Sequence, residues 1–266
     1  MTTAVMAAHP LADRHALITG AARGIGAAIA RQLSAAGACV TLLVRDAARA
    51  EAVVRTLSGP HAVVVADITD APALRRACRE AMAAFGPVDI LVNNAGSAVS
   101  APFLKSDAAL FSRMLAEHLM AVVHAVQVVL PPMLERGRGQ IVNVASVAGL
   151  AGAPYITAYS AAKHAMLGLT RSLAQEVASR GVAVNAVCPG YTDTALVTDA
   201  VARIVSRTGR TAAEAEASIL AEAGQSRLVT VDEVAAAVLV LCTAPPGAPT
   251  GQAVVLDGSA DGSVAS

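Results

Sequence analysis

A net charge of zero over 266 residues, with no basic or acidic block, argues against nucleic-acid binding and against a charged solvating arm. A composition 55% hydrophobic and only 15% charged argues against disorder, and the length allows one large α/β domain or two small ones. The cysteines Cys39, Cys78, Cys188 and Cys242 lie far apart with no CxxC spacing. They read as small buried hydrophobes in a reducing compartment, not as a disulfide or metal set.

Residues 1–12 lack a basic-then-apolar leader and read as a flexible extension, and residues 261–266 as a Gly/Ser tail. The apolar stretch 234–244 is too short to span a bilayer. The expectation is a soluble, cytoplasmic protein with no membrane partner.

Residues 15–19 form a short apolar run closed by Gly20, and helical spacing follows over 24–36 until Gly37. Strand signals recur at 39–44, 62–66, 88–92, 139–145, 182–187 and 253–256. Helical spacing falls between them at 47–57 and at 70–85, where Asp70 is the expected N-cap and Pro72 sits in the first turn. A longer helix runs from 107 to about 130, with Pro131 and Pro132 disturbing its end. Further helices are expected at 157–179, at 195–223 as two pieces parted near Gly209, and at 230–243. Strands apolar throughout are buried on both faces, as in a parallel sheet. Their alternation with helices implies right-handed crossovers. The fold expected is α/β: a single-domain Rossmann-type doubly wound parallel sheet of about seven strands, helices on both faces, over residues 13–260. Residues 191–225 read as a substrate lid.

The first strand leads into Thr19-Gly20-Ala21-Ala22-Arg23-Gly24-Ile25-Gly26. Gly20 permits a tight turn, Gly24 lets a phosphate approach the backbone, and Gly26 permits close helix packing. The free N–H groups of the following helix, Ile25 among them, would then face a pyrophosphate. Asn93-Asn94-Ala95-Gly96 follows the fourth strand, Asp67 the third, and Pro189-Gly190 with Thr194 the sixth. Ser146 closes the fifth strand, and thirteen residues later comes Tyr159-Ser160-Ala161-Ala162-Lys163. At i and i+4, Tyr159 and Lys163 share a helix face. A tyrosine is a poor acid at neutral pH, and a neighbouring ammonium lowers its pKa. Ser146 is placed to hydrogen-bond the same reacting oxygen.

In this order and over nearly the whole chain, these motifs resemble those of the short-chain dehydrogenase/reductase family. The resemblance implies an NAD(P)-dependent oxidoreductase that interconverts a ketone and a secondary alcohol. It implies Ser146, Tyr159 and Lys163 as the catalytic set, with Tyr159 and Lys163 also on the cofactor side. It implies Asp67 at the adenine ring, Asn94, Ala95 and Gly96 on the adenosine side, and Pro189, Gly190 and Thr194 at the nicotinamide amide. Where the family often has an Asn in the long helix, this chain has His118. That ring is read either as a proton relay, since histidine titrates near neutrality, or as a tolerated helix residue.

Cofactor choice is a matter of charge. The acid that selects NAD would fall at Val44, which is apolar, while Arg23 and Arg45 are placed to pair with a 2′-phosphate. Asp46 is the counter-evidence, and NADP(H) is favoured over NAD(H). The loops beyond the strand ends offer a mostly apolar substrate pocket that includes Ala98, Tyr155, Tyr191 and Leu196. Similarity over residues 181–196 and the lid to 3-oxoacyl thioester reductases, polyketide ketoreductases and 3-hydroxybutyrate dehydrogenases implies a 3-oxoacyl or 3-hydroxyacyl compound. Two alternatives remain open: an NAD-linked dehydrogenase of a cyclic or aromatic alcohol, and a catalytically silent nucleotide-binding regulator. No metal is expected, because no histidine has ligand partners at metal spacing. The family implies a homotetramer or homodimer through the long helices.

Overall fold

The computed structural model describes residues 9–258. The tail 261–266 and residues 1–8 of the extension lie outside them. Seven strands form one parallel sheet: β1 His15–Thr19, β2 Cys39–Val44, β3 His61–Val65, β4 Ile90–Asn93, β5 Gly139–Val144, β6 Val182–Pro189 and β7 Ala253–Leu256. Their order is β3-β2-β1-β4-β5-β6-β7, so the chain reverses its direction of travel between β1 and β4. That crevice, at the carboxyl ends of the strands, is where such sheets bind ligands.

Helices α1 (Gly24–Ala35), α2 (Glu51–Val54), α3 (Ala71–Phe85), α4 (Ala108–Leu115), α5 (Ala121–Arg136) and α6 (Thr157–Val177) cross between strands. Helices α7 (Ala195–Thr208), α8 (Ala212–Ala223) and α9 (Val231–Cys242) follow β6. The sheet buries apolar side chains on both sides. Leu17, Leu91 and Ile141 pack against α3, α5 and α6, while Ala16, Ile18 and Val92 pack against α1 and α9. Helices α7 and α8 share a small core of their own, Val197, Val201, Ala215 and Ile219.

Local chemistry accounts for several helix ends. The Asp70 carboxylate accepts from Ala73 N–H, and Thr211 and Thr230 form capping boxes with Glu214 and Glu233. Three expectations are corrected. The helix foreseen over 47–57 is a 3₁₀ turn, Ala48–Ala50, followed by the four-residue α2. The long helix does not stop at Pro131 and Pro132 but runs to Arg136, where Gly137 closes it in the left-handed region. The missing proline N–H groups deprive the carbonyls of Gln127 and Val128, on the outer side where Gln127 is exposed to water. Residue 11 is not frayed: Leu11 is buried and its N–H donates to Ala36 O at 2.9 Å.

Between α4 and α5 lies a widened π turn, Ala116–Met120, which carries His118. By length and composition alone the whole run Ala108–Arg136 is sufficient to cross a bilayer. Here Met114, Val122, Ala125 and Val129 are buried within the protein.

Candidate active site

The glycine turn is built on contacts that exclude side chains. Gly20 has φ +69°, and a Cβ there would lie 2.9 Å from Ala95 Cα; a Cβ on Gly26 would lie 2.4 Å from Gly20 O. Asn94 underpins the turn by donating from Nδ2 to Thr19 O at 2.9 Å and to Gly20 O at 3.3 Å. The Thr19 hydroxyl accepts from the N–H of both Asn94 and Ala95 at 2.9 and 3.0 Å. Helix α1 then starts at Gly24 with no side-chain cap. Its first N–H groups and partial positive charge therefore meet the crevice, with Gly24 presenting no side chain and only Thr194 nearby at 3.6 Å from its would-be Cβ. Gly20, Arg23, Gly24, Ile25, Gly26 and Thr194 are the residues that would hold a dinucleotide pyrophosphate at this turn.

Beyond the ends of β2 and β3, Val44 is buried, and Arg23, Arg45 and Asp67 are exposed. Asp46 accepts from Ala48 N–H at 3.0 Å and pairs with Arg49 at 3.4 Å, so it serves its own turn. Hydrogen bonds from the Thr69 hydroxyl and N–H hold the Asp67 carboxyl below its usual range, and Arg45 adds to this.

The chemical end gathers four residues from three elements. Ser146, just past β5, accepts at Oγ from Ala148 N–H at 3.1 Å and donates to Pro189 O at 3.4 Å. Its hydroxyl is near enough to Tyr159 to favour the ionised phenol slightly. Lys163, one turn along α6, is buried and donates from Nζ to Val144 O at 2.8 Å. The ammonium lies 5.6 Å from the centre of the Tyr159 ring. His118 stands perpendicular to that ring, centroids 5.2 Å apart.

Desolvation dominates the titration of this cluster. Burial raises Tyr159 to about 12, against a smaller opposing effect of Ser146. Burial lowers Lys163 to about 7. Burial, with the Lys163 charge second, lowers His118 to about 3. Burial therefore sets the Tyr159 pKa, contrary to the expectation that Lys163 would make it more acidic. Proton relay through the His118 ring is likewise disfavoured. Nε2 lies 2.7 Å from Ser97 O, which requires the proton on Nε2 and leaves Nδ1 an acceptor with no partner. The ring fills the space over Gly96, where a Cβ would meet Cε1 at 2.2 Å.

Of the expected pocket residues, Tyr191 is exposed just past β6 and has only a minor electrostatic influence on Tyr159. Leu196 is exposed on the first turn of α7, and Ala98 is half-buried. Tyr155 is exposed, with φ +65°, and its carbonyl accepts from Ala101 N–H at 2.7 Å, tying two loops together.

Further residues support the site. Asn93 donates to Asn143 at 2.9 Å and Asn143 to Thr170 at 2.8 Å, a buried polar line from β4 through β5 to α6. A lone Asn inside an apolar strand is itself a signal that a partner is needed. Cys188 is fully buried beside Ser146, its thiol raised to about 11 by burial. Gln225, buried under Gly190, has no comparable signal.

With this geometry in place the comparisons are decisive. The family model for short chain dehydrogenases matches residues 14–205. The chain belongs to the short-chain dehydrogenase/reductase family. It is 35% identical to a D-beta-hydroxybutyrate dehydrogenase of Rhizobium meliloti, covering 91% of this chain and 96% of the relative. It is 34% identical to a 3-oxoacyl-[acyl-carrier-protein] reductase of Haemophilus influenzae, over 91% and 96% of the two chains. The crystal structure of a variant actinorhodin polyketide ketoreductase with NADPH superposes with TM-score 0.84 at 32% identity, covering 92% and 96% of the chains. As a short-chain dehydrogenase/reductase the protein is an oxidoreductase.

Proposed function

We propose that this enzyme interconverts a ketone and a secondary alcohol of the 3-oxoacyl/3-hydroxyacyl type, with NADP(H) preferred and Tyr159 as the acid/base. The observation that carries the reading is the convergence of Ser146, Tyr159 and Lys163 just beyond the carboxyl end of β5, with Lys163 Nζ 5.6 Å from the centre of the Tyr159 ring. It argues against a catalytically silent nucleotide-binding regulator. When bound, the nicotinamide supplies or takes up the hydride at the reacting carbon.

With its pKa near 12, Tyr159 is protonated at neutral pH and can give its proton to a carbonyl oxygen gaining negative charge. Ser146 donates to the same oxygen and orients it. Lys163, while charged, stabilises the phenolate left on Tyr159. His118 stays neutral and braces the Tyr159 ring. In the oxidative direction Tyr159 takes the alcohol proton back.

The preference for NADP(H) is supported by the buried apolar Val44, by exposed Arg23 and Arg45, and by Asp46 being committed to Ala48 and Arg49. The substrate class is supported by the relatives named above. The long helices are the surfaces through which we expect copies to pair as a dimer or tetramer, and the cytoplasm is the expected location. Incubating the purified protein with NADPH and acetoacetyl-CoA or ethyl acetoacetate, and following cofactor consumption, tests the reading. Oxidation of NADPH in step with ketone loss supports it, and no turnover across a panel of 3-oxo esters and thioesters overturns it.

A further inference from the structure

The two stems of the α7–α8 unit are joined by the side chain of Gln225 as well as by backbone bonds. Gln225 is 7% exposed, and its Oε1 accepts from Tyr191 N–H at 2.7 Å. Its Nε2 donates to Tyr191 O at 3.3 Å and to Arg227 O at 3.2 Å. The amide thus pairs with both backbone groups of Tyr191, as a neighbouring strand would, across 34 residues of sequence. It lies flat on Gly190: a Cβ there would stand 2.4 Å from Oε1.

The neighbouring contacts continue the joint. Gly190 N–H donates to Leu256 O at 2.8 Å, Val229 N–H to Tyr191 O at 2.9 Å, and Asp193 N–H to Val229 O at 2.8 Å. Three segments, the ends of β6 and β7 and the stem after α8, are therefore fastened together around Gln225. Beyond the joint, α7 and α8 pack on one another through their separate core. Displacing the joint would shift that unit as a body, together with Tyr191 at its root.

We infer that Gln225 is a positioning residue, a two-sided amide latch that joins the α7–α8 unit to the Pro189–Gly190–Tyr191 segment and fixes the Tyr191 backbone two residues from the Pro189 carbonyl that accepts from Ser146. The inference deepens the oxidoreductase reading and rests on it for its kinetic consequence, but the latch itself does not depend on turnover. Its chemistry is specific. The position needs one acceptor toward Tyr191 N–H and one donor toward two carbonyls. A protonated glutamic acid supplies both, whereas an ionised glutamate supplies no donor and turns a negative charge on two carbonyl oxygens. The charged groups around the joint are Arg227, whose guanidinium is held by Glu233, and Asp193, Glu222 and Asp257 on the adjoining segments.

The test is backbone amide exchange on the full chain without ligands, in the wild type, Gln225→Glu and the nearly isosteric Gln225→Met. Protection of the Tyr191 amide, corrected for the intrinsic pH dependence of exchange, should fall about tenfold or more in Gln225→Met at every pH. In Gln225→Glu it should stay near the wild-type value at pH 5 and be lost by pH 8. Protection in β4 should not change. With NADPH and ethyl acetoacetate, KM for the ester should rise with pH in Gln225→Glu but not in the wild type, with a smaller effect on kcat. Unchanged Tyr191 protection in Gln225→Met, or the same protection at both pH values in Gln225→Glu, overturns the latch. Absence of wild-type turnover would defeat the oxidoreductase reading alone, and the exchange data would still judge the latch.

Discussion

The His118 ring meets the Tyr159 ring edge-on, at an interplanar angle of 87° and a centroid distance of 5.2 Å. The contact places a neutral imidazole against the tyrosine proposed as the acid/base. Folded His118 holds no proton until the pH falls to about 3, because burial and Lys163 disfavour its charge. Unfolded, it takes one up below about 6.5. Between these values the unfolded state binds more protons, so stability declines as pH falls through that window. Urea unfolding from pH 7 to pH 4 should show His118 contributing up to about 1.4 kcal/mol per pH unit. His118→Asn should flatten that slope, and an unaltered slope would show that the ring is not held neutral.

His118→Asn and His118→Ala also test the relay. The account expects the pH–rate profile of both variants to keep its shape, with rates lowered by misplacement of Tyr159. Loss of a limb near neutrality in both variants would restore a titrating role for the ring.

Lys163 should set the alkaline limb of the reductive direction. Its ammonium is lost as pH rises through about 7, because burial depresses its pKa. Reductive kcat should therefore fall above neutrality. Lys163→Met should lose about 10²–10⁴-fold and remove that limb. A Lys163→Met profile with the limb intact would assign it elsewhere.

Arg45→Ala and Arg23→Ala should each weaken NADPH binding about tenfold, the size of one lost charge contact, and leave NADH nearly untouched. Calorimetric titration with both cofactors decides this. Equal losses for the two would show that the arginines do not read the 2′-phosphate.

The amino end of the sheet makes a separate prediction. Buried Asp89 accepts from His15 N–H at 3.0 Å and lies within 3.6 Å of Arg14, 3.3 Å of Arg136 and 3.2 Å of Arg138. Asp89→Ala leaves these cations facing one another and a buried N–H without its acceptor. A loss of about 2–3 kcal/mol in unfolding free energy, measured by denaturant titration, is expected, reduced from the fully buried case because the arginines reach water. Retained stability would mean that the cluster contributes little.

The strands, the sheet and the site were legible to the extent that their signals are local. Apolar runs gave β1, β2 and β7 to the residue, and Asp70 marked its helix start. Ser146, Tyr159 and Lys163 were found through motif and spacing. What escaped depends on distant partners. Asp89 and Gln225 are ordinary polar residues until the fold brings Arg136 or Tyr191 to them. The prolines of α5 break a helix only where their lost hydrogen bonds cannot be met by water, which an isolated segment does not reveal. Mutual desolvation inverted the expected shift of Tyr159, and burial is a property of the assembled site.

Tyr159 is the proton carrier in this mechanism, and Tyr159→Phe, which keeps the ring and removes the hydroxyl, separates proton transfer from cofactor binding. NADPH binding and single-turnover reduction of a 3-oxo ester would be measured on the wild type and on this variant. The account predicts near-normal NADPH affinity with turnover reduced by at least about 10²-fold. Turnover within a few fold of the wild type would contradict it.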